Sequence, residues 1–301
     1  ASYNVAVGID SLGVNTTGEG NTALGRNALG SNTTGGLNVA LGRQALTANT
    51  TASENVSVGT YSMTANTTGY SNVSVGHYSM NANTTASFNT AVGWRALFTT
   101  TTGGNNTAVG WSALNVSTTA GLNVAIGYAA MQATTTGASN TAVGSYVLDA
   151  NTTGEYNTAL GYAALGASTT GSNNVAIGSG AGDAATTASY NTSVGAGALS
   201  AATTGQYNTV VGYNAMDAIT TGVEAVAIGS LALTQASGSS NVAVGHKAGE
   251  NVTTGTNNVL LGKETGRTGA PGGNITTGDN SVCIGNANIA SANIQVDWTT
   301  A

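Results

Sequence analysis

Residues 21–37 read N-T-A-L-G-R-N-A-L-G-S-N-T-T-G-G-L, and residues 157–173 read N-T-A-L-G-Y-A-A-L-G-A-S-T-T-G-S-N. They are two copies of one unit. Glycine follows a small and aliphatic triplet at Gly8, Gly25, Gly42 and onward to Gly229, each 17 residues after the last. The rhythm slips to 16 at Gly245, returns to 17 at Gly262 and stretches to 23 at Gly285. Seventeen copies of N-[TV]-A-[VIL]-G-x-x-A-[LM]-x-x-x-T-T-G-x-x therefore run along the chain. A period that holds without drift over thirteen intervals excludes disordered low complexity and marks a stacked-repeat architecture.

The unit is too rich in Gly and Thr to be helical. Segments such as Asn38–Gly42 and Asn140–Gly144 are short, β-branched and bounded by turn residues, which predicts a strand. A second small-plus-large pair, Ala28-Leu29 or Ala164-Leu165, predicts another strand, and Asn32-Thr33-Thr34-Gly35 a turn. Two strands and two turns make one coil of an all-β, parallel β-solenoid. Coils stacked about 4.8 Å apart give a rod on the order of 80 Å long. Identical residues then form columns. The residue opening each strand is Asn from Asn4 onward, with Ala225 as the break and Asn280 assigned as the last member. Such a column suits a ladder of side-chain amides, and it also suits a plain turn preference.

Composition narrows function. Only 6% of the 301 residues are charged, with six Lys and Arg against twelve Asp and Glu. That leaves no basic footprint for nucleic acid. No apolar run is long enough to insert in a membrane. One proline among 44 glycines excludes collagen, and one cysteine, Cys283, excludes a disulfide framework. Cys283 stands at an Ala-like strand position and reads as a small buried hydrophobe. His77 and His246 lie ten units apart, roughly 48 Å at the coil spacing, so they form no common site. No Ser-His-Asp set, phosphate loop or periodic Asp occurs. The chain is read as a non-enzyme needing no cofactor and no metal.

Assigning the faces of the strand gives a partner. Val, Leu or Ile in the fourth place of the unit, such as Leu24, Val58, Ile126 and Ile228, is assigned to the coil interior. Ala or Ser in the third place then faces outward. A strand without a polar face calls for something packed against it. The expectation is lateral self-association through the Ala/Ser columns, including Ala142 and Ala159; the plainer alternative is a monomer that tolerates an Ala surface.

The units N-T-A-L-G-R-N-A-L-G-S-N-T-T-G and N-T-A-L-G-Y-A-A-L-G-A-S-T-T-G resemble the tandem repeats of bacterial and phage fibre proteins carrying a tail-fibre domain. More distantly they are similar to the head repeats of trimeric autotransporter adhesins, from which the 17-residue coil departs. The resemblance covers residues 1 to about 285. It implies a parallel homotrimer of left-handed β-solenoids, extracellular or on a virion, acting in attachment to a host cell or surface. In such fibres a stretch like the C-terminal one precedes a self-cleaving chaperone.

Two parts of the chain are distinguished. Residues 1–262 are the repeat rod; residues 263–301 are a C-terminal cap or transition, with a loop over 263–279 and a last coil to 285. Ile294, Val296 and Trp298 alternate with polar residues and predict a further strand. The mid-register start at Ala1 leads us to expect a region upstream.

One column offers a binding surface. The residue after the repeated glycine is His77, Trp94, Trp111, Tyr128, Tyr162 or Tyr213 in six units, with Arg95 beside Trp94 and Tyr61, Tyr78 and Tyr146 one place on. Aromatics with a nearby guanidinium suit a host-surface glycan or receptor; they equally suit a ladder that covers an oligomer seam. Sequons such as Asn15-Thr16-Thr17 are explained by turn chemistry. Three roles follow: an attachment fibre, a surface-layer or extracellular filament scaffold without its own receptor, and, less favoured, an ice-binding solenoid using the Thr columns.

Overall fold

The computed structural model describes residues 2–267, 274–286 and 288. Seventeen strands of three residues run from β1 (Val5–Val7) and β2 (Thr22–Leu24) to β16 (Val259–Leu261) and β17 (Val282–Ile284). Each pairs in parallel with the next, so that Val5, Ala6 and Val7 face Thr22, Ala23 and Leu24, and so on up the stack. No helix occurs among the described residues. The expected parallel β-solenoid is the fold, with coil n carrying strand βn.

Each coil has one strand, not two. The second small-plus-large pair lies in a tight turn, with Asn27 at φ 58° and Leu29 at φ 50°. Alternate left-handed residues are incompatible with a pleated strand. Among the described residues the column containing Leu29 holds only Leu, Met or Gly, for example Leu46, Met63, Leu148 and Gly249. A β-branched side chain at positive φ would be a genuine outlier, which accounts for this choice. The repeated glycine has a double reason to be glycine. Gly161 sits at φ 129°, and a Cβ there would come 2.6 Å from the carbonyl oxygen of Gly178 in the next coil.

The two strand faces are the reverse of the sequence expectation. The third place of the unit, Ala23, Ala142 and Ala159, has no exposed surface, whereas Leu24 is 48% and Ile126 38% exposed. The reason is volume. The Leu/Met column of the turn already fills the coil, so the inward strand residue opposite it must be small. One substitution shows the compensation directly. Where that column becomes Gly249 and Gly266, the strand between them carries Leu260 in place of Ala, and its methyls reach within 2.8 Å of where each missing Cβ would stand.

Two polar ladders run beside this core. In the first, the Asn21 Oδ1 accepts from the backbone N–H (3.0 Å) and side-chain amide (3.1 Å) of Asn38, which also donates across its own coil to the Ala52 carbonyl (2.9 Å). The amide ladder therefore forms, and turn preference alone does not describe the column. Its last member is Ser281, not Asn280: the Ser281 N–H donates to Asn258 Oδ1 at 2.9 Å, while Asn280 is exposed one place earlier. The second ladder, from Asn15 to Asn83, runs through the Asn-Thr-Thr-Gly turns.

Near the C-terminus, Lys263–Arg267 and Asn274–Gly278 continue the coil geometry, with Thr265 and Ile275 buried. The expected strand at Ile294, Val296 and Trp298 lies outside the described residues, as do the loop residues 268–273.

Candidate interaction surface

Reversal of the faces creates the main surface feature. Every strand sends two side chains outward: Thr or Val at its first place and Val, Leu or Ile at its third. No charge enters either column in any of the seventeen strands. The result is a stripe about 80 Å by 7 Å before side-chain breadth is counted, aliphatic throughout its Val/Leu/Ile column and carrying Thr in seven of the seventeen places of the other, comparable in size with the roughly 300–600 Å² patches that monomers expose. Ile177, Ile228 and Leu160 stand on it at 37–41% exposure.

Two flanks border the stripe, because the chain enters each strand on one side and leaves on the other. The exit flank, one and two places after the repeated glycine, holds all the sequence-nominated residues. Trp94, Trp111 and Tyr128 stack nearly parallel, with ring centroids 5.0 and 4.6 Å apart. The Arg95 guanidinium lies 5.0 Å from the Trp94 ring and 4.1 Å from Phe98. Four of the nominated residues therefore come together. His77 lies 4.1 Å from Tyr78 and 6.2 Å from Tyr61, and Tyr78 meets Phe98 at 6.1 Å, so this group joins the stack through the Phe98 ring beside Arg95. Tyr162 makes a T-shaped contact with Tyr146 at 6.1 Å and is 60% exposed, and Tyr213 is 59% exposed. A hydrogen bond with Tyr128, then burial, holds the Tyr146 phenol above its usual range.

This geometry limits what the aromatics can do. Rings stacked face to face cover the faces on which a sugar would pack. The Trp94–Trp111–Tyr128 stack can seal an edge, while Tyr162 and Tyr213 keep more than half of their surface open.

The entry flank escaped the sequence reading. It carries Leu37, Phe88, Leu122, Tyr156, Tyr190 and Tyr207, all exposed and all at positive φ. Tyr190 and Tyr207 stack at 5.1 Å. The available signal was a large apolar residue directly before the ladder Asn, as in Tyr156-Asn157 and Phe88-Asn89.

Elsewhere the surface is chemically plain. In most Thr-Thr pairs the first hydroxyl donates to the carbonyl of the next coil, Thr16 to Thr33 at 2.9 Å and Thr84 to Thr101 at 3.1 Å, and the second faces out. A shallow depression of about 350 Å³ between Thr51, Glu54, Thr68 and Tyr70 holds one carboxylate and hydroxyls. Among the described residues, no three His, Cys, Asp or Glu side chains gather as metal ligands, and no helix is long and apolar enough to cross a membrane. Cys283 is buried, which pushes its thiol up. Compared with known proteins, the chain matches no family model and no curated sequence.

Proposed function

We propose that this chain is a non-enzymatic structural rod that assembles laterally with copies of itself, as a parallel homotrimer, into an extracellular or virion fibre for attachment to a host cell or surface. The observation that carries the reading is the uncharged outward stripe with its unbroken Val/Leu/Ile column. Water-exposed along its whole length, it is costly; packed against another copy, it becomes a core. The Ala/Ser columns first nominated as the seam are inside the coil, so the seam is reassigned to the outward Thr/Val and Val/Leu/Ile columns. The resemblance of the repeats to tail-fibre proteins supports the role. On this reading the Trp94–Trp111–Tyr128 stack closes one edge of the seam, and the exposed Tyr162 and Tyr213 are the best-placed contacts for a glycan.

The test is mass in solution, followed by substitution on the two strand faces. We expect an assembly of three 29.3 kDa chains. Ile126→Lys with Leu160→Lys should dissociate it while leaving the β circular-dichroism signal, whereas Ala142→Lys should disrupt the coil itself. A folded wild-type monomer, or an assembly indifferent to both outward lysines, would overturn the reading.

A further inference from the structure

The few charges on this chain are sorted. Five of the six Lys and Arg residues stand on the exit flank: Arg26, Arg43, Arg95, Lys247 and Lys263. The entry flank, five and six places before the repeated glycine, carries Glu19, Glu54, Glu155, Glu224 and Asp279 and no base. The exit flank also holds two acids, Asp10 and Glu264, the latter paired with Arg267 at 3.5 Å. Lys247 is paired with Glu250 of its own coil at 3.3 Å. Among the described residues, no intrachain ion pair involves Arg26, Arg43, Lys263 or any of the five entry-flank acids. Three of these acids accept hydrogen bonds from hydroxyls or backbone: Glu54 from Ser71, Glu224 from Ser240 and Asp279 from Thr256.

We infer that these segregated flanks set the polarity and register of self-association: copies align parallel and in step, with the basic exit flank of one against the acidic entry flank of the next. The inference rests on the self-association proposed above and adds what orients it. In a parallel arrangement, rotation about the rod axis brings exit flank to entry flank. Arg26 then meets the Glu19 level of the same coil, Arg43 lies one coil from Glu54, and Lys263 one coil from Asp279. Lys247 likewise lies one coil from Glu224. Arg95 and Glu155 have no such partner.

The antiparallel alternative fails on the same charges. Turning one rod end over end about an axis across the stripe brings exit flank to exit flank and pairs coil 2 with coil 16, coil 3 with coil 15 and coil 4 with coil 14. Arg26 then opposes Lys263 with the Arg267-paired Glu264 beside it, Arg43 opposes Lys247 and Glu54 opposes Glu224. The outward stripe is uncharged along the whole rod and would accept either polarity or a slip of one coil. Like charges brought together at the rim reject the wrong arrangements more strongly than the favourable pairs stabilise the right one. Such a device discriminates most at low salt, because exposed charges are screened.

The test uses the full chain. Reversing one flank, Arg26→Glu with Arg43→Glu, should weaken assembly on the order of tenfold or more at low salt. Adding Glu19→Arg and Glu54→Arg to the same chain should restore it. Polarity is read with a short bis-maleimide and single cysteines in a Cys283→Ala background. Leu24→Cys should cross-link to itself in the assembly. Assembly that ignores the reversals, or Leu24→Cys that links only to Leu261→Cys, would overturn the inference while leaving self-association standing. A wild-type monomer would overturn both.

Discussion

The corner that turns each coil after the buried Leu or Met is built in two chemistries. In the first coils it is polar. Asn32, Asn49, Asn66 and Asn83 each donate to the amide oxygen of the coil before, at 2.8–3.1 Å, and each also donates to a carbonyl of its own turn. In the later coils the same place is Ala185, Ala202, Ile219, Ala236, Val252 and Ile275, all buried. The backbone path is shared; the way of filling it is not. Between them lie Thr100, Ser117, Thr134, Asn151 and Ser168, where the ladder is incomplete. Asn83 Oδ1, Thr100 Oγ1, Ser117 Oγ and Ser168 Oγ are buried without a partner. A full ladder and an apolar plug are both consistent solutions, and the mixture between them is the weak place. The rod should open first in its middle coils.

The largest expected effect comes from crossing the two chemistries. Ile219→Asp places a carboxylate between Ala202 and Ala236, with no side-chain donor at the same place in the coil on either side, and should destabilise that segment by about 4 kcal/mol. Because repeats unfold locally, the readout is hydrogen exchange by mass spectrometry over coils 12–14. Unchanged protection there would show that the later corner is not a closed apolar plug. Next is Asn49→Ala in the complete ladder. It removes the donor to Asn32 Oδ1 and the acceptor for Asn66, at an expected cost of about 2–3 kcal/mol. Loss of protection should extend to the coils on both sides; a loss confined to coil 3 would mean that the rungs do not act together.

The period, the parallel stack and the first Asn ladder were legible in the sequence because each depends on residues repeated at one spacing. The faces of the strand were not. Alternation in Thr-Ala-Leu says which residues share a face but not which face is inside, and assigning the larger side chain inward was wrong because Leu29 and its equivalents had already taken that volume. The signal lay in Gly249, Gly266 and Leu260, where two losses of a large residue accompany one gain. The turn ladder was missed because Asn in Asn-Thr-Thr-Gly has an adequate local explanation as a turn residue. The nominated aromatic column was legible as a column, but the parallel stack of Trp94, Trp111 and Tyr128 and its edge-on continuation through Tyr146 to Tyr162 depend on ring orientation, and Tyr213 stands apart. Charge sorting across the flanks becomes visible once the copies are aligned on the repeated glycine.

A smaller effect sharpens the account of the middle coils. Ser117→Ala deletes a buried hydroxyl that has no partner, so stability should stay within about 0.5 kcal/mol of wild type or rise slightly. Asn49→Ala and Ser117→Ala occupy the same corner and both end as Ala. Equal destabilisation of coils 3 and 7 by these two changes would remove the distinction between a complete and an incomplete ladder.

The smallest effect concerns pH and again separates the two halves. In coils 9, 11 and 13, Asp149, Asp183 and Asp217 occupy a column held by Thr47, Thr64 and Asn81 in earlier coils. Burial pushes all three carboxyls above the usual range, and the neighbouring Asp183 charge pushes Asp149 further. With the native pKa raised above the unfolded one, the folded chain binds more protons between the two values, so stability falls as pH rises through that window. Acidification from neutral through the raised native values toward about 4, the unfolded carboxyl range, should therefore stabilise coils 9–13. The gain should total only about 0.2–0.4 kcal/mol because all three groups stay partly solvated. Asp279 works in the opposite sense at the far end. The Thr256 N–H and hydroxyl hold its carboxyl down, so protonation there loosens coil 17 as pH falls through that lowered value. Protection factors at pH 7 and pH 4.5, corrected for intrinsic exchange, should rise in coils 9–13 and stay level in coils 2–5. A uniform response along the rod would mean that overall charge, not the buried Asp column, governs its acid behaviour.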